Sequence, residues 1–120
     1  MARPRAFDEA TVISQSRALF AAQGYNGTSI DDLVKETGLL RGSLYKAFGS
    51  KRNLFVKLLS EVSSNFETTS ENLDLLTVAL KDLAKDDEQI RQVCLTIVGK
   101  DELAFATLLG TNLLEKMKEN

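Results

Sequence analysis

Apolar residues recur along the chain at intervals of three and four, the spacing that places them on one face of a helix. No segment shows the alternation of a strand, and Pro4 is the only proline. The pattern therefore predicts an all-α protein. The predicted helices cover residues 8–24, 28–38, 40–48 and 50–69, followed by three more between residues 71 and 120.

Capping residues and glycines set the predicted boundaries. The second helix begins at Thr28 or Ser29, each of which is followed three residues later by an aspartate, as in a capping box. Gly38 ends this helix and leaves a short turn before the next one, which is the spacing of a helix-turn-helix. Asp86 is predicted to cap the sixth helix. Four leucines are predicted to share one stripe of the fifth helix: Leu73, Leu76, Leu80 and Leu83.

The composition of this 120-residue chain limits its chemistry. Its size fits one domain, or two very small ones that share a core. With one cysteine, Cys94, and no histidine, neither a zinc site nor histidine-based catalysis is expected, and no nucleophile–base pair stands out. We therefore expect no enzyme activity, no metal and no cofactor. No apolar run is long enough for a membrane span or a secretion signal, so a cytoplasmic location is expected.

The net charge of −2 conceals two halves of opposite sign. Residues 1–60 contain nine Lys or Arg and five Asp or Glu, whereas residues 61–120 contain six bases and twelve acids, so the halves carry +4 and −6. A basic half joined to an acidic half is typical of a polyanion-binding module attached to a body that does not bind. Chance variation among solvated faces explains the same charges equally well.

The third predicted helix, within the stretch GLLRGSLYKAF, has one apolar and one polar face. At about 100° per residue, Leu44 and Phe48 point into the core. Gly42 lies near the start of this helix, where glycine costs about 1 kcal/mol relative to alanine, and close approach to another surface would explain it. A generic amphipathic helix with a solvated face is the alternative. The residues that could meet base edges or phosphates are Arg41, Gly42, Ser43, Tyr45 and Lys46.

The fourth predicted helix begins with SKRN, which places two cations where the helix dipole favours acids. A phosphate bound by the backbone N–H groups of this helix end and by Lys51 would explain the charge. Thr28 and Ser29 could bind phosphate in the same way. Arg3 and Arg5 belong either to a disordered tail or to a basic arm that enters the minor groove. Together these features favour DNA binding.

The segment ALFAAQGYNGTSIDDLVKETGLLRGSLYKAFGSKRNLF resembles the DNA-binding domain of the TetR/AcrR family of transcriptional regulators. The likeness covers about residues 8–60 and includes the LF…GY…TS opening, the GSLYKAF recognition helix and the following SKxxLF. It implies a three-helix helix-turn-helix domain over residues 1–50, a connecting helix over 51–70 and a short helical dimerisation region over 71–120. It also implies phosphate contacts at Thr28 or Ser29, Tyr45 and Lys51, and groove-reading residues at Arg41, Gly42, Ser43 and Lys46.

Three features depart from the family pattern. Leu40 stands where members often have a serine or threonine, so a cap is missing there. Lys46 and Ala47 replace the aromatic or histidine residues common before Phe48, so the base preference of relatives does not transfer. The family's regulatory domain is normally longer than residues 71–120, and an enclosed ligand pocket from one subunit is therefore not expected.

The final predicted helix has more apolar residues than one face requires, which predicts a homodimer. The predicted interface consists of Leu108, Leu109, Leu113 and Met117. The favoured function is a homodimeric regulator, of the repressor type, that binds a palindromic operator in double-stranded DNA. A second hypothesis adds a small apolar effector among the C-terminal helices. The alternative is a helical interaction protein that does not bind DNA and pairs with a full-length relative.

Overall fold

The computed structural model describes residues 7–119, and within this range it contains helices and turns but no strand, which confirms the all-α prediction. The helices are α1 (Glu9–Gln23), α2 (Ile30–Thr37), α3 (Arg41–Phe48), α4 (Lys51–Ser63), α5 (Ser70–Val78), α6 (Glu88–Val98) and α7 (Glu102–Lys118). α5 continues directly into a π-helical turn, Ala79–Leu83. Among the described residues, no helix is both long and apolar enough to cross a bilayer. The same residues hold no cluster of His, Cys, Asp or Glu suited to a metal ion.

Side-chain caps explain where the helices of the N-terminal part begin. The Ser29 hydroxyl accepts a hydrogen bond from the Asp32 N–H at 3.0 Å, and the Asp32 carboxylate accepts one from the Ser29 N–H at 2.9 Å. This complete capping box starts α2 at one of its two predicted positions. Ser50 caps α4 through the Asn53 N–H at 3.0 Å, which agrees with the predicted start of the fourth helix at residue 50.

The C-terminal part differs from the sequence prediction in three places. α4 ends at Ser63 rather than near residue 69, and Thr69 instead caps α5. The π turn shifts the phase of the helix, so Leu80 is 39% exposed and does not continue the predicted stripe. The cap of α6 is Asp87, one residue after the predicted Asp86, because the Asp87 carboxylate accepts a backbone hydrogen bond from the first turn.

One hydrophobic core joins the first three helices to those that follow. Phe20 of α1 and Phe55 of α4 are fully buried and meet edge to face, with ring centroids 5.2 Å apart. Tyr25, just after α1, stacks on Phe20 at 5.8 Å. α4 also packs against α6, and six of its residues are buried: Leu54, Phe55, Val56, Leu58, Leu59 and Val62. α4 therefore links the helix-turn-helix to the C-terminal helices.

α7 packs against the rest of the protein on one side only. Phe105 and Leu109 contact the core, and the Asn112 amide and the Lys116 ammonium reach Asp74 of α5 at 2.7 and 2.8 Å. No residue of α7 is fully buried. Of the residues predicted for a dimer interface, Leu109 thus faces its own core and Leu108 is partly buried. The exposed leucine and methionine residues of α7 are Leu103, Leu113, Leu114 and Met117.

Two glycines of the helix-turn-helix are expected to respond in opposite ways to substitution by alanine. Gly38 has a φ of 76°, so Gly38→Ala should cost about 1 kcal/mol of unfolding free energy. Gly42 is helical and a Cβ there would meet nothing within 4 Å, so Gly42→Ala should stabilise by up to about 1 kcal/mol. Urea unfolding should place the two midpoints on opposite sides of the wild-type midpoint. Shifts in the same direction would contradict this turn geometry.

Candidate nucleic-acid interface

α3 is held by its apolar side and turns its polar side to solvent. Leu44 and Phe48 are buried against the core, as the periodicity predicted, and Leu39 anchors the turn before the helix. Arg41, Gly42, Tyr45 and Lys46 are exposed, and Ser43 is partly exposed. The structure therefore brings the five predicted contact residues of this helix to one surface.

Gly42 has no packing role within the protein. A Cβ built on this residue would meet no atom within 4 Å, and the backbone is helical, so neither crowding nor strain requires glycine here. A helix surface without a side chain lets another molecule approach the backbone. Packing inside the protein therefore does not require glycine at this position.

The two cations of α3 differ in their surroundings. Arg41 forms an ion pair with Asp31 of α2, and both side chains are more than half exposed. An exposed pair of this kind contributes at most about 1 kcal/mol, so Arg41 can exchange it for another acceptor at little cost. Lys46 forms no ion pair with any residue that the structure describes. Both cations are therefore available to an approaching polyanion.

Thr28 and Ser29, the two predicted phosphate contacts before α2, occupy different environments. Thr28 is fully buried, and its hydroxyl donates to the Gly24 carbonyl oxygen at 2.7 Å. Ser29 is exposed and caps the helix. Only Ser29 is therefore placed to meet a phosphate. The predicted arm residues Arg3 and Arg5 lie outside the described residues.

Lys51 has a structural partner that the sequence does not reveal. Its ammonium donates to the carbonyl oxygens of Tyr25 and Thr28, each at 3.0 Å, and lies 4.2 Å from the centroid of the Tyr25 ring. It thereby fastens the first turn of α4 to the loop between α1 and α2. An ammonium has three N–H donors, so one remains for a further acceptor such as a phosphate.

Arg52, the next residue, extends to a different part of the protein. Its Nε and Nη2 donate to the two carboxylate oxygens of Asp87 at 2.7 and 2.9 Å, and Nη2 also reaches the Gln89 side-chain oxygen at 2.9 Å. These hydrogen bonds lower the pKa of Asp87 to about 2 despite the opposing effect of burial. The only sequence signal for this pair is a cation at the start of α4, where an acid is expected.

The segment that carries this surface matches a known protein family. A family model described as bacterial regulatory proteins, tetR family, matches residues 12–58. This segment belongs to the tetR family. The match contains all of α2 and α3, so it includes every predicted DNA contact from Thr28 to Lys51. The family resemblance seen in the sequence is therefore confirmed.

Curated proteins similar to this chain are named as HTH-type transcriptional regulators or repressors. The uncharacterized HTH-type transcriptional regulator YezE of Bacillus subtilis is 43% identical over 67 residues, which is 56% of this chain and 33% of that protein. The HTH-type transcriptional repressor BdcR of Escherichia coli is 31% identical over 99 residues, covering 82% of this chain and 45% of the relative. The HTH-type transcriptional repressor AcnR of Corynebacterium glutamicum is 37% identical over 62 residues, 51% of this chain and 33% of the relative.

These matches concern part of each relative. The chain spans between one third and just under half of the length of the relatives named above. No solved structure matches the chain significantly. The family model covers residues 12–58, and the alignment with BdcR, at 99 residues, extends well beyond that segment.

The ion pair between Arg52 and Asp87 should make stability depend on pH in the acid range. The pKa of Asp87 is lowered in the folded state, so its contribution to stability is present above the ordinary aspartate pKa near 4 and is lost as the pH falls toward 2. Urea unfolding at several pH values should show wild type more stable than Asp87→Asn at pH 5, with the difference shrinking below pH 4. A difference that stays constant down to pH 2 would contradict the pairing.

Proposed function

We propose that this protein is a DNA-binding transcriptional regulator of the repressor type, which binds a palindromic operator as a homodimer. The membership of residues 12–58 in the tetR family supports DNA binding, and two of the relatives are named repressors. The observation that carries the proposal is the exposed polar face of α3, with a glycine that packing inside the protein does not require.

In this proposal α3 enters the major groove with its exposed face toward the bases. Arg41, Ser43 and Lys46 then supply donors to base edges, where an arginine or lysine pairs best with guanine. Gly42 lets the helix backbone approach the groove. Phosphates on either side are contacted by Tyr45, which is 43% exposed, and by Ser29 and Lys51 at the starts of α2 and α4.

The test uses a duplex chosen by the protein itself. Wild-type protein selects from a pool of random duplexes, and fluorescence anisotropy then compares the selected duplex with a scrambled one. We expect Gly42→Leu to stay folded, because a Cβ at this position meets nothing within 4 Å. Its affinity for the selected duplex should fall at least about tenfold, because the leucine side chain would prevent α3 from contacting the bases. Thr96→Leu, at an exposed position of α6 outside the proposed surface, should bind as wild type does.

Two outcomes would count against this function. Unchanged binding by Gly42→Leu would remove α3 from the interface. Failure of the wild-type protein to enrich any duplex would favour the alternative, a helical interaction protein that pairs with a full-length relative.

The homodimer is proposed on the exposed face of α7. Leu103, Ala106, Gly110, Leu114 and Met117 follow one another at intervals of three, four, four and three, which places them on one side of the helix. Leu103, Leu114 and Met117 are 79%, 57% and 66% exposed, and they lie opposite the residues that contact the core. No described residue packs against this face, and its exposed apolar side chains favour burial against a second protein surface.

The same intervals favour an antiparallel pair of α7 helices. They read identically in both directions around Gly110, so a two-fold axis at this residue would set Leu103 against Met117 of the second copy and Ala106 against its Leu114. A Cβ at Gly110 would meet nothing within its own protomer, so the glycine leaves room for close helix contact there.

An aspartate on this face should separate the protomers. Leu114→Asp would bury a carboxylate in the proposed interface, so sedimentation equilibrium at micromolar concentration should show a dimer for wild type and a folded monomer for the variant. Leu95→Asp is the matched control, because Leu95 is 54% exposed on α6 and lies outside the stripe. A folded wild-type monomer would overturn the dimer, and dissociation by Leu95→Asp as well would overturn its location.

A cavity between the π turn, α6 and α7 supports the second hypothesis, a small apolar effector. It has a volume of about 260 Å³ and is open to solvent, so it is not an enclosed pocket. Its apolar lining includes Leu80, Cys94, Val98, Phe105 and Leu109. Burial raises the pKa of Cys94 to about 11, so the thiol remains protonated at neutral pH and acts as one more apolar group.

A further inference from the structure

Two consecutive residues at the start of α4 hold two different parts of the protein. The Lys51 ammonium binds the backbone carbonyl groups of Tyr25 and Thr28 between α1 and α2, and Thr28 directly precedes the Ser29 cap. The Arg52 guanidinium binds the residue that caps α6. A single helical turn therefore connects the first turn of α6 with the loop that begins the helix-turn-helix.

We propose that Arg52 is a positioning residue for DNA binding, which through Asp87 fixes the first turn of α4 and so keeps Lys51 on the loop before α2. The inference rests on the proposed DNA-binding function and adds a residue that neither the sequence analysis nor the family match assigns to it.

The hydrogen bonds of Arg52 leave it little capacity for a direct phosphate contact in this conformation. A guanidinium has five N–H donors, and four hydrogen bonds are already made: two to Asp87, one to Gln89 and one to Asn53 at 3.1 Å. The bidentate arrangement fixes the orientation of the group as well as its distance from α6. These contacts point to an influence on DNA through α4, the element that carries Arg52.

Asp87 is equally constrained on its side of the contact. Its carboxylate accepts the backbone N–H of Ile90 at 3.2 Å while it holds Arg52, so it is rigidly attached to the first turn of α6. Its side chain is 18% exposed, against 38% for Arg52. A partly buried pair between two fixed elements transmits position better than a pair between two flexible surface side chains.

In the test, the change in charge and the change in position predict opposite effects on DNA affinity. Asp87→Asn removes a negative charge, so long-range electrostatics alone predicts tighter DNA binding. Asparagine also caps helices well, so α6 should keep its start. If Arg52 acts as a positioning residue, the variant should instead bind the selected duplex about fivefold or more weakly, because the coupling between the two parts is lost.

Three further variants complete the experiment. Arg52→Gln should lose affinity for the selected duplex by a similar factor, and the double variant should lose no more than either single one, since both break the same contact. The slope of log affinity against log salt should change by the same amount in Arg52→Gln and Asp87→Asn, because both variants act on the position of Lys51. Lys116→Gln is the matched control, because its pair with Asp74 has nearly the same exposure, 40% and 14%, but joins α7 to α5. It should bind as wild type.

The remaining outcomes overturn the proposal in distinguishable ways. Equal or tighter binding by Asp87→Asn shows that position does not matter. A salt slope lowered by about one in Arg52→Gln alone identifies a direct phosphate contact instead. A loss of thermal stability without a loss of affinity at a temperature well below unfolding assigns the pair a purely structural role. If wild type itself selects no duplex, the failure lies with the proposed function and not with Arg52.

Discussion

The contact between the Lys51 ammonium and two backbone carbonyl groups constrains how α4 is placed against the loop between α1 and α2. The carbonyls of Tyr25 and Thr28 belong to the loop between α1 and α2, where the helical hydrogen-bond pattern is interrupted and carbonyl oxygens need other donors. The Tyr25 ring, packed on Phe20 and Phe55, lies beside the same ammonium at 4.2 Å. One cation thus joins the loop before α2, an aromatic cluster and the start of α4.

This arrangement separates the residues that support the candidate interface from those that form it. Lys51 and Arg52 have partners at fixed distances inside the protein, and Leu44 and Phe48 hold α3 by burial. Gly42 and Lys46, by contrast, make no such contact with any described residue. A rigid support below an exposed surface suits a binding site, because the backbone then loses little conformational entropy when a partner binds.

The parts of this structure that follow from local chemistry were predictable from the sequence, and the parts that join distant residues were not. The capping box at Ser29 and the buried face of α3 depend on residues within one or two turns, and both predictions are confirmed. The ion pair between Arg52 and Asp87 joins residues 35 positions apart, and the acceptors of Lys51 are backbone atoms that carry no sequence signal. The π turn that exposes Leu80 shifts the helix phase through a change in the backbone hydrogen-bond pattern, and no residue type in the sequence signals that change.

Formal charge overstates the attraction of the N-terminal half for a polyanion, and the structure indicates which cations produce it. Arg41 and Arg52 are paired with aspartates, so their charges are largely cancelled at distances beyond a few ångströms. Lys51 differs because its partners are neutral carbonyl groups, which fix its position without cancelling its charge. The cation that holds the helix-turn-helix in place is therefore also one that still attracts a phosphate. Removing it would weaken the support and the electrostatic attraction together, whereas breaking the contact between Arg52 and Asp87 weakens the support and leaves the Lys51 charge in place.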